Sequence, residues 1–266
     1  MGIEGVIGAT GPGCYTARMS PADVRFLGSG DSFCAAGRNQ AAYLVDTGET
    51  VFLLDCGATT LASLKRQGID AGAIDTVLLS HFHGDHFAGL PFLFLEYIFE
   101  TPRPRPLRIC GPPGIEARVA NLFAAMYRDL AAKPLPFRLE YTELVPGMPQ
   151  HVGSLRVTPF RVPHQEQEIS LGLGIQTAGR RILYSGDTGW TEDLVAHAQD
   201  TDLFICECCF FATRLPIHLD YPRLYENRER FGTSRLVLTH LGREVLAHRD
   251  EIELELATDG LTVQLP

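Results

Sequence analysis

Along the chain, short β-branched and aliphatic runs alternate with longer stretches whose apolar residues return at helical spacing. Strands are predicted at 41–45, 51–54, 76–80, 107–110, 137–141, 154–162, 169–176, 181–184, 203–211, 236–239 and 262–265. Helices are predicted at 59–66, 87–99, 115–130, 192–198 and 221–231. This alternation predicts an α/β fold in which mixed sheets are covered by helices.

The polar residues that matter stand where these runs stop. The strand run 76–80 leads into His81-Phe82-His83-Gly84-Asp85-His86, three imidazoles and a carboxylate within six residues, followed by an apolar helical run. Alternation sends His81 and His83 to one side, Gly84 lets the chain reverse, and Asp85 and His86 point back from the start of the helix. Such a density of nitrogen and oxygen donors predicts a metal site, and its two ligand pairs predict a dinuclear one. Three further strand ends carry matching donors: His164 after 154–162, Asp187 after 181–184, and His240 after 236–239.

Composition bounds the picture. With 266 residues and 45% hydrophobic content, one large domain over 21–266 can bury a substantial core. Residues 1–20 are Gly-rich, lack a basic start followed by an apolar core, and read as a loose tail. No apolar run is long enough to span a bilayer, so no membrane partner is expected. Against 32 acidic residues stand 23 basic ones, a formal charge of -9, which is a poor footprint for a nucleic-acid backbone. The densest basic stretch, 103–108, reads as a stiff exposed linker. Arg38 reads either as an anion contact reaching the site from its loop or as a solvated surface residue.

The seven cysteines are odd in number and mostly lie in apolar strands, which predicts reduced thiols in a cytoplasmic protein. Cys206, Cys208 and Cys209 fall in the run 203–211 and read as packing residues, because no second Cys pair completes a thiolate metal set. Of nine histidines, His151, His197 and His248 are left with surface or helix readings.

His81 to His86, His164, Ser185-Gly186-Asp187-Thr188 and Thr239-His240, in this order, resemble the metallo-β-lactamase superfamily over nearly the whole chain. The resemblance implies a four-layer αβ/βα sandwich with metals at the edge between two sheets. It implies His81, His83 and His164 at one site, Asp85, His86 and His240 at the other, and Asp187 shared. Asp55, in Leu54-Asp55-Cys56-Gly57, would orient a ligand imidazole. The Phe26-Leu27-Gly28-Ser29-Gly30, Gly89-Leu90-Pro91 and Gly111-Pro112-Pro113-Gly114 segments are similar to the ribonuclease Z and phosphodiesterase branch. That branch pairs a Glu at a strand end with a downstream His, here Glu207 and His218. The flanking cysteines depart from its pattern, as does His240-Leu241-Gly242-Arg243. Ribonuclease Z also inserts a long arm for transfer RNA between its third ligand His and its bridging Asp. From His164 to Asp187 this chain has room only for a strand-turn-strand.

The expected activity is therefore metal-assisted hydrolysis of a small phosphodiester or nucleotide-type substrate, with Asp85, Glu207 and His218 in catalytic roles and His218 donating a proton to the leaving alkoxide. Two divalent ions are expected, Zn2+ first, with Mn2+ or Fe2+ as alternatives. The rivals are a ribonuclease Z-like RNA endonuclease, an ester, lactone or β-lactam hydrolase, an iron oxidoreductase, and a metal-bearing carrier or binding protein. Exposed helix faces of this fold commonly pair, which is compatible with a homodimer.

Overall fold

A computed structural model describes residues 23–265; the tail read at 1–20 lies outside the described residues. Six strands, β1 (Asp23–Gly28), β2 (Ala42–Asp46), β3 (Val51–Leu54), β4 (Thr76–Leu78), β5 (Leu107–Gly111) and β6 (Leu139–Glu143), pair in sequence order into the first sheet. The second sheet is built likewise from β7 (Gln150–Val152), β8 (Leu155–Val162), β9 (Ser170–Thr177), β10 (Arg180–Tyr184), β11 (Leu203–Glu207), β12 (Leu236–Thr239) and β13 (Glu255–Leu256). The last strand, β14 (Thr262–Gln264), returns to pair antiparallel with β1 at the edge of the first sheet.

Three packed layers of side chains explain why the strands read as continuous apolar runs. In β3, Phe52 and Leu54 join a core shared with Val157, Leu173, Ile182 and Ile205 of the facing sheet. Leu53 points the other way, among Leu64, Leu93, Phe94 and Phe123 of the covering helices. The second sheet does the same, with Leu183, Phe204 and Leu238 packed outward on Leu194, Leu224 and Val245. Helix, sheet, sheet, helix is the four-layer sandwich expected. Strands β3 to β6 run parallel, as do β10 to β13, so their C-terminal ends open along one edge, where ligands bind in α/β sheets.

Several local expectations are corrected. The helix read over 87–99 is broken: Gly84–Phe87 and Leu90–Leu95 are separate turns, the second running on through a π-turn at Glu96–Glu100. The break falls where Gly89 N–H donates to Cys56 O at 2.8 Å, so close that a Cβ on Gly89 would lie 2.3 Å from Gly57 O. The 115–130 run divides at Tyr127, and the 221–231 run tightens into a 3-10 turn at Arg228–Phe231. The strand read over 203–211 stops at Glu207, whose carboxylate accepts the Cys209 N–H and turns the chain out of the sheet. Arg103 is no exposed linker residue: it is 5% exposed, lies 5.1 Å over the Tyr97 ring and donates to Pro106 O. Arg38 is half-buried and donates to Ser29 Oγ and Ala257 O.

Candidate metal centre

The open edge gathers every donor that the sequence singled out. From the turn after β4 come His81 and His83, and from the helical turn Gly84–Phe87 come Asp85 and His86. His164 follows β8, Asp187 follows β10 and His240 follows β12. Asp187 Oδ2 lies 3.9 Å from His81 Nε2, 3.3 Å from His86 Nε2, 3.8 Å from His164 Nε2 and 3.4 Å from His240 Nε2. Asp85 Oδ2 is 3.3 Å from both His86 Nε2 and His240 Nε2. His83 Nδ1 lies 3.0 Å from His164 Nε2. The donors fall into two groups with ligand atoms within 4.8 Å of one another: His81, His83, His164 and Asp187, and Asp85, His86, Asp187 and His240. Asp187 belongs to both.

These residues fit cations. His81 Nε2, His86 Nε2 and Asp187 Oδ1 are buried without a hydrogen-bond partner, although orphaned buried polar atoms cost free energy. Burial also holds the imidazoles of His81 and His164 low, the latter at about 4, so both are neutral with a lone pair to offer at neutral pH. Burial alone would raise the Asp187 carboxyl, but His240 and His86 hold it well below the usual range, so it is charged.

A single carboxylate aims the imidazoles. Asp55, wholly buried after β3, accepts from Ser80 N–H at 2.7 Å, Ser80 Oγ–H at 2.7 Å, His86 Nδ1–H at 2.6 Å and Tyr184 O–H at 2.6 Å. Ser80 Oγ in turn accepts from His81 Nδ1–H at 2.9 Å. Asp55 therefore fixes the tautomer of one imidazole in each group, directly for His86 and through Ser80 for His81, leaving both Nε2 atoms turned to the centre. His164 is set likewise by Nδ1–H donation to Ile217 O at 3.0 Å. Asp55 and His240 adopt left-handed backbone at φ 56° and 53°, the kind of strain that persists where surrounding contacts over-determine a site. The Asp55 position came from the resemblance; Tyr184 and Ser80 went unread, because each looks like an ordinary end of an apolar strand.

The Glu207 and His218 pair also forms. His218 Nδ1–H donates to Glu207 Oε1 at 2.8 Å, while the same carboxylate accepts from Thr188, Cys209 and Leu219 N–H. Burial works against charge on His218, yet the Glu207 carboxylate lifts it to about 9. Its ring stands 4.9 Å from that of His164 and 5.7 Å from that of His240, over the mouth of the centre. The loop that carries it passes so close to Gly189 that a Cβ there would meet Pro216 O at 1.8 Å. His197 stacks on Phe160 and His248 on Phe211, away from this chemistry.

This fold and this donor set define a metal-dependent hydrolase of the metallo-β-lactamase superfamily. Residues 22–259 match the family described as Anti-Pycsar protein Apyc1, and the chain belongs to that family. It is similar to the ribonuclease Z of Mycobacterium avium (strain 104), with 30% identity over 252 residues that cover 86% of this chain and 89% of that one. Among solved structures it is similar to human tRNase Z, short form, with a TM-score of 0.75 and 25% identity, covering 92% of this chain and 99% of that one. It is also similar to the metallo-beta-lactamase fold protein YhfI from Bacillus subtilis, with a TM-score of 0.72 and 21% identity, covering 92% of this chain and 100% of that one.

Proposed function

We propose that this protein is a phosphodiesterase acting on a small phosphodiester or nucleotide-type substrate, with two divalent cations, Zn2+ first, as its resident metals. The observation that carries the reading is Asp187 Oδ2, set between the Nε2 atoms of imidazoles from both groups. His81, His83 and His164 would hold one cation, Asp85, His86 and His240 the other, and Asp187 both. Such ions, when bound, supply a water of lowered pKa and neutralise charge growing on phosphoryl oxygens.

The chain's own residues do the rest. Asp55 and Ser80 keep the protons of His86 and His81 on Nδ1, so those rings cannot turn away. Glu207 holds the proton on His218 Nδ1 and favours the imidazolium, whose Nε2–H is then given to the leaving alkoxide. A small substrate is supported by the segment between His164 and Asp187. There β9 and β10 form a hairpin closed at Ala178-Gly179, which leaves no projecting arm to embrace RNA. The formal charge of -9 points the same way.

Among the described residues no helix is long and apolar enough to cross a membrane. The buried, unpaired thiols of Cys56, Cys110, Cys206 and Cys208 support a reducing, cytoplasmic setting. The test joins metal analysis of protein purified without added metal to a substrate screen. The screen would compare bis(p-nitrophenyl) phosphate, linear and cyclic nucleotides and precursor transfer RNA with esters and lactones. Two equivalents of zinc with turnover of the small diesters is expected. Two equivalents of iron without hydrolysis, or turnover confined to RNA or carboxylic esters, would overturn the reading.

A further inference from the structure

Three cysteines crowd the end of β11, and they do not share a fate. Cys206 and Cys208 are packed in the apolar layer beneath the outer helices, and their Sγ atoms face backbone oxygens of Glu207 and Phe210. Cys209 stands outside that layer. The strand has ended at Glu207, the Cys209 N–H is tied to Glu207 Oε2, and the side chain is carried to the other side of the turn. There its Sγ lies within 4.8 Å of a ring nitrogen of His218 and one of His240. His240 is 3% exposed and its Nδ1 has no hydrogen-bond partner, while its Nε2 faces Asp85 and Asp187. His218 spends Nδ1 on Glu207, which leaves Nε2 free.

We propose that Cys209, His218 and His240 form a further, thiophilic cation site that overlaps the catalytic centre and, when filled, silences it. One sulfur and two imidazole nitrogens are the donor set of zinc and its softer congeners. Bonds of about 2.0–2.3 Å place tetrahedral ligands about 3.3–3.8 Å apart, so the three donors need to close by about 1 Å. Closing is local, because His218 lies on a surface loop. As the cation binds, the thiol proton and the Nε2 proton of the His218 imidazolium both leave to solvent, and the cation takes up the charge that burial otherwise disfavours on sulfur.

Occupancy has two costs for hydrolysis. The lone pair of His218 that would carry the transferable proton becomes a metal bond. His240 is drawn toward a cation other than the one it shares with Asp85. The site therefore acts as a sensor of excess or soft metal, reading it through the proton donor. It goes beyond the phosphodiesterase reading and does not depend on which bond is cleaved.

Metal-stripped full-length protein titrated with Co2+, and separately with Cd2+, tests this by absorption. Wild type is expected to show metal–thiolate charge-transfer absorption, in the near ultraviolet for Co2+ and at shorter ultraviolet wavelength for Cd2+, growing after the first two equivalents. The band should vanish in Cys209→Ser and Cys209→Ala, and persist in Cys34→Ser, Cys206→Ala and Cys208→Ala. His218→Ala should weaken the apparent Cd2+ affinity of the thiolate site by about tenfold, the loss of one of three ligands. An unchanged band in the Cys209 variants overturns the proposal. So does a wild-type protein that shows no such band at saturating Cd2+, a result that needs no variant to fold. Neither result depends on turnover, so failure here is distinct from failure of the phosphodiesterase reading.

Discussion

Replacing His218 with Ala tests the proposed proton-donor step. The side chain is 15% exposed on a loop, so its removal leaves the core and the candidate metal-binding groups in place. What it removes is one donor, aimed across the mouth of the centre and held by a 2.8 Å hydrogen bond to Glu207. General-acid catalysis by a placed side chain contributes about 10²–10⁴ in rate, or about 2.7–5.4 kcal/mol of barrier. That contribution exists only when the departing oxygen needs a proton. A simple alkyl or nucleoside alkoxide needs one, whereas p-nitrophenolate leaves readily as the anion. Steady-state kinetics of His218→Ala should therefore show a loss of about 10²–10⁴ in kcat/KM on a methyl or nucleoside diester. On bis(p-nitrophenyl) phosphate the loss should stay within about tenfold. Glu207→Gln keeps the shape but not the charge and should fall between, at about 10–100-fold on the alkyl diester. Glu207→Ala is a poorer probe, because it also strips the acceptor from Thr188, Cys209 and Leu219 N–H. Equal losses on both substrates would refute the assignment and leave His218 as a structural or metal-linked residue.

Tyr184→Phe removes a 2.6 Å donor from the Asp55 carboxylate and should lower unfolding stability by about 1.5–3 kcal/mol, read by urea denaturation. Metal retention under competitive chelation should fall about tenfold or more in the same variant; unchanged retention would show that Tyr184 packs without positioning. Asp187→Asn should reduce bound metal from two equivalents toward one or none by elemental analysis, since both groups share that carboxylate. Gly189→Ala would set a Cβ 1.8 Å from Pro216 O, so activity on the alkyl diester should fall while bound metal is kept. Stripping the metals should lower Tm, and readdition at 100 times Kd should restore about 2.7 kcal/mol per site by calorimetry.

The gathering of the candidate donors was legible because its signal is local: polar residues stop apolar strands at His81, His164, Asp187 and His240, and parallel strands bring such ends to one edge. The interior of the network was not. Ser80 and Tyr184 read as continuations of buried strands, and only the fold shows that both reach Asp55, Ser80 from the neighbouring strand and Tyr184 from the facing sheet. The end of β11 was invisible because Cys208-Cys209-Phe210-Phe211 stays apolar. A side-chain carboxylate two residues earlier, and not a turn residue, breaks the ladder. The helix break at 88–89 likewise has a tertiary cause, the approach of Gly89 to Cys56 and Gly57. Arg103 misled through composition, since a cation among prolines suggests solvent while its guanidinium lies over Tyr97.

The bond from Tyr184 to Asp55 joins residues 129 apart, across the seam between a sheet built by the first half of the chain and one built by the second. The donors straddle the same seam, with His81, His83, Asp85 and His86 on one side and His164, Asp187 and His240 on the other. On the two-cation proposal, metal binding would be a clasp as well as a chemical tool: neither half holds a complete donor group, and each cation would crosslink the halves. Cutting the chain in the turn at residues 144–149 would leave two pieces tied by the shared core, the strap of β14 on β1, and the metals. In such a nicked protein, chelation would become a release and the cation a fastener, so the strength with which the halves reassemble would report the occupancy of the centre without any substrate.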